Sequence, residues 1–301
     1  MDGHTFEGRV AIVTGAGRGI GRAYARLLAD RGAGVVVNDL GGSIKGTGAD
    51  GAVASAVAAE IEAAGGAALA DEHDVASVEG AEALIGAALE RFGRLDILIN
   101  NAGIMQWGGL PAVDAESLQR HLAVHVLGSF NTTRAAWPSM VEQGYGRIVN
   151  TTSSGVFGLP KNLSYATAKG GVIGLTRSIA TMSEAHGIKV NLIAPAAMTR
   201  MAGPDAETDD ASSPMAPGQV APLAAFLAHE ACPVNGELFA AGAGRFARIF
   251  IASTPGYVAT QPTIEDVAEH WDEIVSEEGY VVPRDLPDWS TSFLAHLQAD
   301  E

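Results

Sequence analysis

From Arg9 to Thr14 the chain is a short apolar run rich in β-branched residues. It stops at Gly15, and apolar residues then recur at helical spacing from Ile20 to Ala29. Strand, glycine turn, helix is the order this implies, and the alternation repeats. Gly34 to Asp39 reads as a strand, Ala52 to Ala64 as a helix stopped by Gly65-Gly66, and Leu95 to Asn100 as a strand that follows another helix. Arg147 to Thr152, Lys189 to Ala194 and Glu237 to Ala240 are further strand candidates, separated by helices near Leu118 to Met140, Tyr165 to Ala185 and Val220 to His229. Strands that alternate with helices imply a parallel sheet covered on both faces. The expected fold class is therefore α/β, a doubly wound parallel sheet of about seven strands.

Two stretches break the rhythm. Ala202 to Gly218 holds several acidic residues and three prolines. It reads as a loop after the C-terminal end of a strand, either a substrate lid or a plain surface excursion. Arg245 to Glu301 carries Trp271, Trp289 and Phe293 among many acidic residues, and large aromatics need something to pack on. The expected organisation is one domain over residues 1–244, with a C-terminal extension over 245–301 that packs on this domain or on a neighbouring subunit.

Composition narrows the partners. The 35 Asp and Glu against 19 Lys and Arg give a net charge of -16, which repels nucleic-acid backbones and anionic lipid surfaces. Neither nucleic acid nor membrane is an expected partner, and an anionic substrate such as a coenzyme A thioester would need a local basic patch. Cys232 is the only cysteine, which excludes an intramolecular disulfide and any multi-cysteine metal site. No metal is expected. The reducing cytoplasm fits, since the N-terminus has no export signal and no run of about 18 apolar residues occurs.

The turn Thr14-Gly15-Ala16-Gly17-Arg18-Gly19-Ile20-Gly21 joins the first strand to the first helix. Backbone N–H groups at a helix start hold a pyrophosphate well, and glycines let the backbone come close to it. Asp39 ends the second strand, where a carboxylate accepts from the adenine ribose hydroxyls and repels a 2′-phosphate. That favours NAD over NADP. Arg18 pulls the other way if it meets a 2′-phosphate, and is neutral on the point if it meets the pyrophosphate. Asn100-Asn101-Ala102-Gly103 places amides and small residues at the end of an apolar strand. Further on, Tyr165-x-x-x-Lys169 puts a phenol and an ammonium on one helical face. The ammonium is expected to lower the phenol's pKa toward the operating pH, as a general acid/base requires. The strand before it runs into Thr151-Thr152-Ser153-Ser154-Gly155, whose hydroxyls can polarise a substrate oxygen.

Taken in order, Thr14-Gly15-x-x-x-Gly19-x-Gly21, Asn100-Asn101-Ala102-Gly103, Ser153 and Tyr165-x-x-x-Lys169 resemble the short-chain dehydrogenase/reductase family over residues 7 to 244. The resemblance implies a Rossmann-like fold and a nicotinamide-dependent exchange between a secondary alcohol and a ketone. In that family the tyrosine passes the proton, the lysine binds the nicotinamide ribose and the serine holds the substrate oxygen, which here means Tyr165, Lys169 and Ser153, with Thr152 and Ser154 as rivals for the serine's place. Cofactor contacts carry over to Gly15, Ile20, Asp39, Asp74, Val75, Asn101, Tyr165, Lys169 and the stretch from Pro195 to Thr199. His125 stands where the family usually has a relay asparagine. A histidine can also relay protons, although a lone helical histidine is more often structural.

A narrower resemblance is to the dehydrogenase unit of peroxisomal multifunctional enzyme type 2 and to related bacterial proteins. It rests on Val35 to Gly42, on Gly128-Ser129-Phe130 with Thr133 to Trp137, on Tyr145 to Ile148 and on Val220 to Leu223. It implies oxidation of 3-hydroxyacyl-CoA esters or of 17β-hydroxysteroids with NAD, in a homodimer or homotetramer. The tail after Arg245 is expected to fall outside this relation. The alternatives are a reductase of other bulky ketones and a non-catalytic dinucleotide-binding protein.

Overall fold

Alternate residues of the first strand face opposite sides of a sheet, and both sides are buried. The computed structural model describes residues 3–202 and 211–298. Strand β1 (Val10–Thr14) sends Ala11 and Val13 into one core and Ile12 into the other, as the two-residue period of a strand requires. Helix α1 (Gly19–Asp30) leads to β2 (Gly34–Asn38), and α2 (Ala52–Ala63) to β3 (Ala67–Asp71). Helix α3 (Val78–Phe92), capped by the Ser77 side chain and ended by Gly93 at φ 78°, leads to β4 (Ile97–Asn100).

A long helical passage then joins β4 to β5. It opens as α4 (Ala115–His121), loosens into a π-helical turn (Leu122–Leu127) and resumes as α5 (Gly128–Gln143) before β5 (Gly146–Thr151). After a 3-10 turn (Ser154–Phe157), α6 (Leu163–Ser183) leads to β6 (Ile188–Ala196), and α7 (Ala221–Ala228) to β7 (Leu238–Gly242) and β8 (Arg245–Ile249).

The sheet order is β3-β2-β1-β4-β5-β6-β7-β8, and every registered pair from β3 to β7 is parallel. The sheet thus has eight strands where about seven were expected. The strands not among the named candidates are β3 and β8, the latter joined to β7 by Ala243 and Gly244, both at positive φ. A two-residue connection of that conformation makes a hairpin, so β8 runs antiparallel to its neighbour. Strand order reverses between the neighbours β1 and β4. In a doubly wound sheet that crevice, at the C-terminal strand ends, is where ligands bind.

The opposite end of the sheet is closed by charge. Asp96 is fully buried at the start of β4, where its carboxylate accepts from Arg9 at 2.9 Å, from Arg94 at 2.7 and 2.8 Å and from the Val10 N–H at 2.9 Å. Burial by itself would raise its pKa, but the hydrogen bonds from Arg94, Val10 and Arg9 hold it below the usual carboxylate value.

The chain divides into two compact units, residues 1–248 and 249–301. The second contains α8 (Ile264–Glu269), whose start is a reciprocal Thr263–Asp266 capping box, α9 (Trp271–Ile274) and α10 (Leu286–Phe293). Within it Trp289 stacks on Phe293 at 4.5 Å and donates to Ser253 Oγ at 3.2 Å. None of its helical residues is buried.

Candidate active site

The glycine turn after β1 is stitched to the turn after β4. Thr14 Oγ1 accepts from the N–H groups of Asn101 and Ala102, both at 3.0 Å, and Asn101 Nδ2 donates to the carbonyls of Thr14 and Gly15. Two of the glycines are there by necessity. A Cβ on Gly15 would lie 2.8 Å from Ala102 Cα, and one on Gly21 would lie 2.2 Å from the Gly15 carbonyl oxygen.

A groove runs over this junction. Of the residues expected to meet a dinucleotide, Gly15, Arg18, Gly19, Ile20, Gly21, Asp39, Asp74, Val75, Asn101, Ala102, Gly103 and Thr199 all line it. Pro195 does not, lying instead on β6 opposite Ala241, and Tyr165 and Lys169 are not among the lining residues either. Asp39 accepts from the N–H of Gly17 at 2.9 Å and of Gly41 at 2.7 Å, so its carboxylate orients the glycine turn as well as facing the groove. Sequence reasoning used the segment after it, through Gly42, only for the narrower resemblance and gave it no cofactor role. Leu40, Gly42, Ser43, Ile44 and Gly46 also line the groove, and the Ile44 carbonyl accepts from the Met105 N–H at 2.8 Å, tying this segment to the β4 side.

Tyr165, Lys169, Ser153 and His125 gather beside the ends of β4 and β5. Ser153, two residues past the end of β5, caps the 3-10 turn and hydrogen-bonds the half-buried Tyr165 phenol. The two rival hydroxyls are placed otherwise: Thr152 is buried and donates to the Lys169 carbonyl at 2.8 Å, and Ser154 is exposed. Lys169 is buried, and its Nζ donates to the Thr151 carbonyl at 2.7 Å, 5.6 Å from the centre of the Tyr165 ring. His125 lies in the π-helical turn and meets the Tyr165 ring edge-on at 5.3 Å. His121 stacks behind it at 5.9 Å.

The expected electrostatics of the Tyr-Lys pair need correction. Burial raises the Tyr165 pKa, with only the Ser153 hydrogen bond opposing it, and burial lowers Lys169 to about 7. Spacing on a helix brings the two groups together, but it does not report the desolvation that both undergo, and here desolvation outweighs attraction. His125 is also pushed well down, by burial first and by the Lys169 charge second, so it is a neutral imidazole near pH 7. Its Nδ1 has no hydrogen-bond partner among the described residues, and neither has the buried Thr151 hydroxyl.

The scaffold beneath was also missed from the sequence. Asn100 Nδ2 donates to Asn150 Oδ1 at 2.9 Å, Asn150 Nδ2 to Thr176 Oγ1 at 2.9 Å, and Thr132 Oγ1 to Asn100 Oδ1 at 2.7 Å. Fully paired buried networks of this kind fix geometry, and this one locks β4, β5, α5 and α6 together under the site. The loop over 202–218, read as either a substrate lid or a surface excursion, falls partly on residues 203–210, which lie outside the described residues.

A family model described as short chain dehydrogenase matches residues 9–210. The chain belongs to the short-chain dehydrogenase family. Peroxisomal multifunctional enzyme type 2 of Mus musculus is 43% identical to this short-chain dehydrogenase over 277 residues, which are 89% of this chain and 37% of that protein. A putative short-chain type dehydrogenase/reductase of Mycobacterium tuberculosis is 40% identical over 275 residues, 91% of this chain and 96% of that one. Among solved structures, full-length peroxisomal multifunctional enzyme type 2 from Drosophila melanogaster superposes with a TM-score of 0.80 at 32% identity, covering 98% of this chain and 50% of that one. This short-chain dehydrogenase therefore spans well under half of the mouse relative's length. The likeness extends past residue 244, which corrects the expectation that the tail falls outside the relation. The tail carries no motif that a reading of residues could match.

Proposed function

We propose that this oxidoreductase converts the secondary alcohol of a 3-hydroxyacyl thioester to the ketone, with NAD as the oxidant. The observation that carries the reading is the Tyr165 phenol, hydrogen-bonded to Ser153 and next to Lys169, at the strand ends beside the groove. Gly15, Arg18, Gly19, Ile20, Gly21, Asp39, Asp74, Val75, Asn101, Ala102, Gly103, Pro195 and Thr199 would hold the dinucleotide, with Tyr165 and Lys169 at its nicotinamide end. The glycine cradle, which has no room for a Cβ, fits that group. Bound NAD supplies the hydride acceptor and a positive ring charge. Asp39 favours NAD, because a carboxylate about 4 Å from a 2′-phosphate costs on the order of 4 kcal/mol per charge pair at an effective dielectric near 20.

Ser153 donates to the substrate oxygen and Tyr165 accepts its proton. Burial disfavours the phenolate in the coenzyme-free protein, so the base form would rely on the positive charge that bound NAD brings together with Lys169 in its protonated form, and neutral His125 would continue the proton path from Lys169. Orientation between two fixed hydroxyls provides much of the rate. The likeness to the multifunctional enzymes supports an acyl thioester over a 17β-hydroxysteroid. We further assign a homodimer or homotetramer through the α4–α5 and α6 helices, which expose Phe130 and Met182. The buried free Cys232 supports a reducing cytoplasm, and no described helix is long and apolar enough to cross a membrane.

The test is NADH formation from 3-hydroxyacyl-CoA, a hydroxysteroid and a simple cyclic alcohol, each with NAD and with NADP. The reading requires kcat/KM for the acyl ester with NAD to exceed the others by at least about tenfold. Turnover of the steroid alone would sink it, and so would a preference for NADP.

A further inference from the structure

An acidic protein that binds an anionic thioester needs somewhere free of carboxylates, and the sequence around the site is such a place. The chain holds 35 Asp and Glu in 301 residues, yet there is none from Ile97 to Val113 or from Gln143 to Ser183. These are the stretches that end β4 and β5 and carry Ser153, Tyr165 and Lys169.

Their loops are paired at the rim of the site. The Gly108 N–H donates to the Lys161 carbonyl at 2.7 Å, the Leu163 N–H donates to the Gly108 carbonyl at 3.3 Å, and Gly108 bridges Asn162. Gly155, in the same loop, lies against both the Asn162 side chain and the Tyr165 ring. Four large apolar side chains on the paired loops are left in solvent: Trp107 is 51% exposed, Leu110 80%, Phe157 74% and Leu159 53%. Apolar groups gathered beside a reactive centre mark a binding surface. In their midst Lys161 is held at φ 64°, one of two non-glycine residues at positive φ among the described residues. Such a conformation costs on the order of 1 kcal/mol or more and persists where the surroundings enforce it. Its ammonium has no acidic partner among the described residues.

We propose that Trp107, Leu110, Phe157, Leu159 and Lys161 form the subsite for the distal part of the substrate, the four apolar residues taking its acyl and pantetheine chain and Lys161 a phosphate of its coenzyme A. This deepens the function proposed above and rests on it. A phosphorylated substrate is drawn here because the rest of the protein repels it and this rim does not.

The test measures equilibrium binding of dodecanoyl-CoA, and of the same acyl group on the uncharged N-acetylcysteamine thioester, to the intact protein. Lys161→Gly removes the charge while easing the backbone, and Lys161→Arg keeps the charge. Lys161→Gly should weaken the CoA ester about 5-fold more than the neutral thioester, an effect that Lys161→Arg does not show and that shrinks with added salt. Leu110→Ser or Phe157→Ser should weaken dodecanoyl-CoA about 10-fold and butanoyl-CoA much less. Equal losses on both thioesters, or none, overturn the role of Lys161. Loss that is independent of chain length overturns the apolar rim. Binding that behaves as described, without turnover of any hydroxyacyl thioester, overturns the proposed reaction and leaves the subsite standing.

Discussion

The two ends of one sheet follow opposite rules. At the N-terminal end Asp96 has every lone pair engaged, by Arg9, Arg94 and a backbone N–H. At the C-terminal end the buried Lys169 ammonium donates to the Thr151 carbonyl, and the Thr151 hydroxyl and His125 Nδ1 are buried without partners among the described residues. Native proteins satisfy buried polar groups almost everywhere, so unsatisfied ones gathered in one place mark work to be done there. One end holds the fold, and the other is kept ready for something that arrives.

This contrast can be broken from either side. The largest effect expected is at the open end, where Tyr165→Phe should cut turnover at least about a thousandfold while thermal unfolding stays within a degree or two of wild type. A variant that keeps near-normal turnover removes Tyr165 from the chemistry. At the closed end, Asp96→Ala leaves two guanidinium groups facing a buried gap and should cost about 3–5 kcal/mol in urea unfolding, with activity at low temperature retained. A loss under about 1 kcal/mol would show that the cluster is decorative.

Smaller effects sharpen the comparison. Asp39→Ser should raise the ratio of NADP to NAD turnover by about 10-fold or more, and an unchanged ratio would assign coenzyme choice elsewhere in the groove. Lys169 gives the last test, through pH. Its pKa of about 7 in the fold lies below its ordinary value of 10.5, so between these values the unfolded chain binds more protons than the native one. Stability from this group therefore rises with pH across that window. The unfolding midpoint of the coenzyme-free protein should climb from pH 7 to 9 relative to Lys169→Met, and parallel curves would refute the burial effect.

Much of this was legible in the sequence because glycines and β-branched runs are local signals. The helix expected over Ala52 to Ala64 is α2 to within a residue, and the glycine turn, the Asn101 turn and the Tyr165–Lys169 face fall where their spacing places them. Strand β3 was not identified because Ala67-Ala68-Leu69-Ala70 has no β-branched residue, and only pairing with β2 makes it a strand. Strand β8 depends on a turn conformation at Ala243 that alanine does not advertise. Ser153 was preferred from the resemblance with Thr152 and Ser154 as rivals, and only the fold shows that Thr152 is buried on the Lys169 carbonyl and Ser154 exposed. So did the reversal of the Tyr165 shift, since burial is a tertiary quantity that spacing does not encode. Lys161 carried no signal at all, because its backbone is paired with Gly108, 53 residues earlier in the chain (161 less 108).

The helix that joins β4 to β5 also sets a constraint on how the chain can vary. A π-helical turn amounts to one residue threaded into an α-helix, and it rotates everything after it by about 100° around the axis. Thr132 and Ala136 lie buried in α5 downstream of that phase shift. Deleting one residue between Leu122 and Leu127 would restore ideal winding and, in the same stroke, swing that buried flank away from its neighbours, so a locally more regular helix would be a globally misaligned one.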